Sequence, residues 1–102
     1  MFKENKRYVT KGINENLDIR LQLIMWNLID ELKKKVKVDY LQIFRLSKVH
    51  GSIIKITHEQ EVPQYKDDFE FEIEGFVLEH DAKVYVIEEV DDISIMLLAK
   101  EY

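Results

Sequence analysis

The sequence predicts an α+β fold: one long helix packed on an antiparallel or mixed sheet of about five to six strands, in the chain order β-α-β-β-β-β-β. Three observations carry this. A stretch without glycine or proline from about Leu17 to Lys37 holds apolar residues at helical spacing, and short strand-like runs separated by turn residues follow it. Only one helix is available as a crossover, which excludes a doubly wound parallel sheet. With 102 residues, 46% of them hydrophobic and 34% charged, the chain has the length and core material of one domain, expected over residues 1–102.

Arg7-Tyr8-Val9-Thr10, closed by Gly12, reads as the first strand, because β-branched and aromatic residues suit a pleated surface. The helix comes next, with Asn14 or Asn16 as N-cap, Asp18 at the positive end of its dipole and Lys33, Lys34, Lys35 and Lys37 at the negative end. Leu21, Ile24, Met25, Leu28, Leu32 and Val36 form its core-facing stripe. Ile19, Leu23 and Trp26 are also spaced by four and three residues, but at 100° per residue they point roughly opposite to that stripe. The first half of the helix is therefore apolar on two sides, and either another segment, such as the first or last strand, or a second molecule must cover the extra side.

Beyond the helix, Tyr40 to Leu46 and Ile53 to Thr57 flank Val49-His50-Gly51-Ser52 and predict a β-hairpin. Asp68 to Glu74 alternates strictly, with Phe69, Phe71 and Ile73 on one face and carboxylates on the other, as a strand wet on one side does. Gly75 allows a turn before a short run Phe76-Val77-Leu78, and Ala82 to Ile87 and Ile93 to Ala99 predict a closing hairpin.

Composition narrows the function classes. Cysteine is absent, which removes disulfides, thiolate metal ligands and a thiol nucleophile, and points to a cytoplasmic protein. The longest apolar run, Ile95 to Ala99, is far too short for a membrane span or a signal peptide, so no membrane association is expected. Residues 1–55 carry 12 Lys/Arg against 6 Asp/Glu, whereas residues 56–102 carry 3 against 14. A basic set of Lys33, Lys34, Lys35, Lys37, Arg45, Lys48 and Lys55 raises nucleic-acid binding, but an overall pI near 5.2 argues against it. Glu70, Glu72, Glu74, Glu79, Glu88, Glu89, Asp91 and Asp92 raise the converse, an acidic face for a basic protein. The alternation of the first three is what any solvent-facing strand shows.

No Gly-rich phosphate loop, nucleophile elbow or HExxH motif is present. The alternative reading as a small enzyme or metal-dependent protein rests on His58 with Glu59 and Glu61, and on His80 with Asp81. Alternation along a strand turns His58 and Glu59 to opposite sides, so no catalytic residue, metal ligand or cofactor is assigned. Ile19, Leu23 and Trp26 are the best-defined candidate interaction surface, since a tryptophan beside two aliphatic residues is the kind of cluster that anchors interfaces. Pro63 and Tyr65, in Gln60 to Tyr65, form a second candidate surface where proline interrupts a strand.

Several segments together carry a resemblance: Lys6 to Gly12, Leu21-Gln22-Leu23 through Trp26, Leu28 to Leu32, Asp39-Tyr40-Leu41-Gln42, His58-Glu59-Gln60 leading to Pro63-Gln64-Tyr65-Lys66, Ala82 to Ile87, and Met96 to Tyr102. In this order they resemble a family of small uncharacterised Firmicutes proteins carried under a domain-of-unknown-function label. The resemblance implies a bacterial cytosolic protein without an established reaction, cofactor or site residue. The expectation is thus a noncatalytic protein-interaction module, whose partner is another protein or a second copy of itself.

Overall fold

The computed structural model describes all residues, Met1–Tyr102. Its strands are β1 (Arg7–Val9), β2 (Leu41–His50), β3 (Ile53–Gln60), β4 (Tyr65–Glu72), β5 (Ala82–Glu88) and β6 (Ser94–Leu98), and its helices are α1 (Lys11–Asn16) and α2 (Ile19–Lys33). The six strands form one mixed sheet in the order β1-β6-β5-β2-β3-β4. Every pairing is antiparallel except β1 with β6, where Arg7, Tyr8 and Val9 run beside Ser94, Ile95 and Met96. Because β1 and β2 therefore point the same way, the chain needs a crossover between them, and α1 and α2 supply it.

The α+β class and the mixed six-strand sheet agree with expectation, while the single long helix does not. Thr10 caps α1 by accepting a hydrogen bond from the Ile13 N–H at 3.2 Å, and Ile13 and Leu17 bury one side of that short helix. Low-propensity Gly12, Asn14 and Asn16 disguise it in the sequence. The N-cap of α2 is Asp18 rather than either asparagine: its carboxylate accepts from the Arg20 N–H at 2.8 Å and is bracketed by the Arg20 guanidinium, which holds its pKa down to about 2. At the other end α2 stops at Lys33, so Val36 lies beyond the helix and is exposed.

The hairpin of β2 and β3 is longer than expected, because strand pairing runs up to a tight turn at Gly51-Ser52 with φ +55° at Gly51. Phe76 to Leu78 is not a strand. After β4, an edge strand, the chain must travel past the ends of β3 and β2 to reach β5, and no free strand edge lies along that route. Residues 73–81 are pinned instead by buried Ile73 and Leu78.

The core lies between the helices and one face of the sheet. Leu21, Met25, Leu28, Ile29 and Leu32 of α2 pack into one cluster with Phe44, Leu46, Ile54, Ile56, Val84, Val86 and Met96. The register places all these strand residues on one face. The opposite face carries Tyr8, Ile95, Leu97, Tyr85, Ile87, Leu41 and Ile43 on β1, β6, β5 and β2, and then turns charged across β3 and β4 with Lys55, Thr57, Glu59, Lys66, Asp68 and Glu70. No helix covers this second face.

Candidate functional site

The three residues singled out on α2 do not stay together. Trp26 is only 8% exposed and belongs to the core, whereas Ile19 and Leu23 are 58% and 60% exposed. What covers Trp26 is the first strand: the Arg7 guanidinium carbon stands 4.9 Å from its ring centroid. The same guanidinium donates to both carboxylate oxygens of Asp30, one turn further along α2, and to the Phe2 carbonyl at 2.7 Å. A cation held over an aromatic face and fixed by a bidentate carboxylate shields the indole as an apolar side chain would. Of the covers considered for this side of the helix, the first strand supplies the one over Trp26, while Ile19 and Leu23 are left exposed.

Pro63 lies at an exposed tip, preceded by a cis peptide bond, and Tyr65 is half-buried. Both belong to the surroundings of His58, which is not on the surface at all. The His58 side chain is 0% exposed, its ring stacked on Phe44 at 4.4 Å and meeting Tyr65 edge-on at 5.5 Å. Gln42 directs its amide N–H groups to the Asp39 carbonyl (2.9 Å) and to Gln60 Oε1 (2.8 Å), so its own oxygen faces His58 Nε2 at 2.6 Å. His58 is therefore neutral with its proton on Nε2. Gln60 in turn donates to the carbonyls of Lys37 and Pro63 and accepts from the Asp39 N–H at 2.9 Å. These three side chains tie the approach to β2 to the turn between β3 and β4. Burial lowers the His58 pKa from 6.5 to about 4, against the opposing pull of Asp67, and Nδ1 has no hydrogen-bond partner. The arrangement rigidifies a sheet end, and His58 lines neither the cavity beside His80 nor the groove at the start of α2.

His80 is exposed and lines a cavity of about 660 Å³ between the α1–α2 junction, residues 76–83 and the chain end after β6. Its walls combine Leu17, Phe76 and Leu98 with Glu15, Glu79 and Asp81. His80 makes no hydrogen bond to these carboxylates, and nowhere do three His, Asp or Glu side chains converge in a metal-binding arrangement. The histidine–carboxylate pairings considered for catalysis are therefore not assembled, neither at His58 nor at His80.

The two halves of the chain, opposite in charge, meet in three ion pairs. Lys3 pairs with Asp92 at 3.0 Å, Arg45 with Glu59 at 2.7 Å and Lys55 with Asp68 at 3.7 Å, each a basic residue of the first half against an acidic one of the second. Glu88 is turned inward to accept from the Phe2 N–H, and Glu74 lies near Arg20. No helix of the structure is long and apolar enough to cross a membrane.

What remains is the helix-free face of the sheet, which the sequence reading did not single out. Tyr8 is 57% exposed there, Tyr102 lies edge-on to Tyr85 with ring centroids 5.7 Å apart, and Leu41, Ile43, Tyr85, Ile95 and Leu97 are half-buried. The signal was present in Tyr85-Val86-Ile87 and Ile95-Met96-Leu97-Leu98, which are apolar at both parities. A strand with one wet face alternates instead, as Phe69-Glu70-Phe71-Glu72 does.

Comparison with solved structures finds the same fold in a protein of unknown function from Enterococcus faecalis, with a TM-score of 0.84 and 18% sequence identity over 99% of this chain and 94% of the other. A comparison with curated proteins finds no match. Residues 6–101 match the family model described as a Staphylococcal protein of unknown function, DUF960, and the chain belongs to that family.

Proposed function

We propose that this is a noncatalytic interaction protein that meets another protein chain through the helix-free face of its sheet. The observation that carries this reading is the half-buried apolar block of Leu41, Ile43, Tyr85, Ile95 and Leu97 around a buried Ile87, with Tyr8 at its margin, on a face that neither α1 nor α2 covers. Apolar side chains spread over four adjacent strands keep water against hydrocarbon, and their burial by a partner yields free energy in proportion to the area removed. Aromatic residues at the margin suit such a contact, since one end of a tyrosine is apolar and the other tolerates water. The unassembled histidine–carboxylate pairs favour the noncatalytic side of the choice.

Ile19 and Leu23 constitute a smaller second contact region. Ile19 and Phe76 line one shallow groove beside the start of α2, so two apolar turns of helix and the loop after β4 present a common surface.

The reading is tested with a photo-crosslinking amino acid placed at Leu97 in the apolar block and, separately, at Thr57 in the charged half of the same face, in cells of the native host. Protein adducts at Leu97 and none at Thr57 are expected. Equal labelling at both positions, or none at either, would count against an interaction role for the apolar block.

A further inference from the structure

Resting on that reading of the open face, we propose that its occupant is a second copy of this chain, stacked face to face and related by a two-fold axis that passes beneath Val86. The argument is the pattern along β5. On the open face this strand presents Lys83, Tyr85 and Ile87. The ladder continues beyond it, with the Glu88 N–H donating to the Tyr40 carbonyl at 2.9 Å and the Glu89 N–H to the Ile93 carbonyl at 2.6 Å. Glu88 turns to the helix side to meet Phe2, so Glu89, in extended backbone, follows on the open side.

The open side of β5 therefore reads basic, aromatic, aliphatic, acidic, and its two end charges are equidistant from Val86. A two-fold axis midway between the stacked sheets, parallel to them and perpendicular to β5, reverses the strand in the partner. Lys83 of each copy then stands over Glu89 of the partner subunit, twice, while Tyr85 and Ile87 meet the same pair across the axis. Stacked sheets lie about 10 Å apart, a gap that a lysine and a glutamate reaching toward each other can span. Aligned sheets cross at about 30°, which at three residues from the axis displaces the charges sideways by only about 5 Å. The same operation lays β6 on β6 and β2 on β2, bringing Ile95, Leu97, Leu41 and Ile43 into the centre.

Both end charges are free to take part. Among the ion pairs within the chain neither Lys83 nor Glu89 appears, and the Lys83 ammonium rests only over the Tyr85 ring, 5.3 Å from its centroid. By contrast Arg45, beside Lys83 on the open face, is already neutralised by Glu59, and Lys55 by Asp68. Two cations of the charged half are thus paired within one copy, and the unpaired Lys66 and Glu70 lie on β4, at the sheet edge away from β5; the unpaired charges on β5 itself are the two that complement one another through the axis.

Sedimentation equilibrium of the purified full chain tests the proposal. The native protein is expected at twice 12.3 kDa. Lys83→Glu and Glu89→Lys, each of which sets like charges opposite one another at both ends, are each expected to weaken self-association by about ten-fold, and the double reversal to restore it. Leu97→Asp is expected to give a monomer whose circular dichroism is that of the native fold. A native monomer throughout the concentration range overturns the second-copy proposal, as does a dimer indifferent to all these substitutions or unrescued by the double reversal. Adducts at Leu97 to other proteins, together with a native monomer, would remove the second copy and leave the interaction reading standing. A monomer without adducts would remove both.

Discussion

Acidification should destabilise this protein through His58, and the size of the effect follows from where that ring sits. In the folded chain His58 is fully buried, hydrogen-bonded through Nε2 to Gln42, and has a pKa of about 4; in the unfolded chain it returns to 6.5. Between those values the unfolded chain binds a proton that the folded chain refuses, so stability is whole above pH 6.5 and is lost as pH falls toward 4. The difference corresponds to about 3 kcal/mol, of which about 2 kcal/mol is gone by pH 5. Against a total stability of about 5–15 kcal/mol for a domain of this size, the loss is large enough to read in any denaturant titration. The assay is urea unfolding at pH 7, 6 and 5 for the native protein and for His58→Phe. The variant keeps the stack on Phe44 but leaves the Gln42 oxygen unpaired, so it should be less stable at pH 7 by about 1–3 kcal/mol. Its stability should nevertheless lose about 2 kcal/mol less than that of the native protein between pH 7 and 5. Equal pH slopes in the two proteins would show that His58 is not the group responsible and refute the reasoning.

The fate of the α2 residues gives a second prediction. Trp26→Ala removes a buried indole from beneath Arg7 and should cost about 3–5 kcal/mol, while Leu23→Ser on the exposed side should change stability by no more than about 0.5 kcal/mol, both read from thermal melts. A third concerns the chain end, where Glu101 accepts from the Thr10 hydroxyl and the Leu98 N–H, each at 2.8 Å, and a Cβ on Gly12 would meet its carboxylate at 2.5 Å. Gly12→Ala should therefore displace Glu101. In a double-mutant cycle with Glu101→Ala the two losses should fall short of additive by about 1 kcal/mol, and strict additivity would argue against the contact.

Much of the fold was legible because it depends on local rules. The strict alternation of Asp68 to Glu74, the apolar spacing from Leu21 to Leu32 and the turn at Gly51 each follow from the period of the element or from backbone freedom at one residue. The helix boundaries were less so. Asp18 is both a poor helix former and a strong cap, and the choice between continuing one helix and starting another was made by the burial of Ile13 and Leu17, which is a tertiary matter. His58, beside Glu59 and Glu61, raised a metal or acid–base reading in the sequence without an assigned role. Its burial was decided by strand pairing, since Phe44 and Gln42 stand opposite and diagonal to it across β2.

The amino-acid sequence by itself determined the α+β class, the helical and strand periods and the absence of thiol chemistry, because these rest on composition and on neighbours a few residues apart. Only the tertiary structure decided which apolar surfaces are covered. Arg7 reaches Trp26 because β1 lies at the sheet edge beside α2, and the block on β1, β6, β5 and β2 stays bare because both helices serve one crossover and lie on one face. Coverage depends on which strands become neighbours across long stretches of chain, a choice made by the summed packing of the core and not by any local pattern.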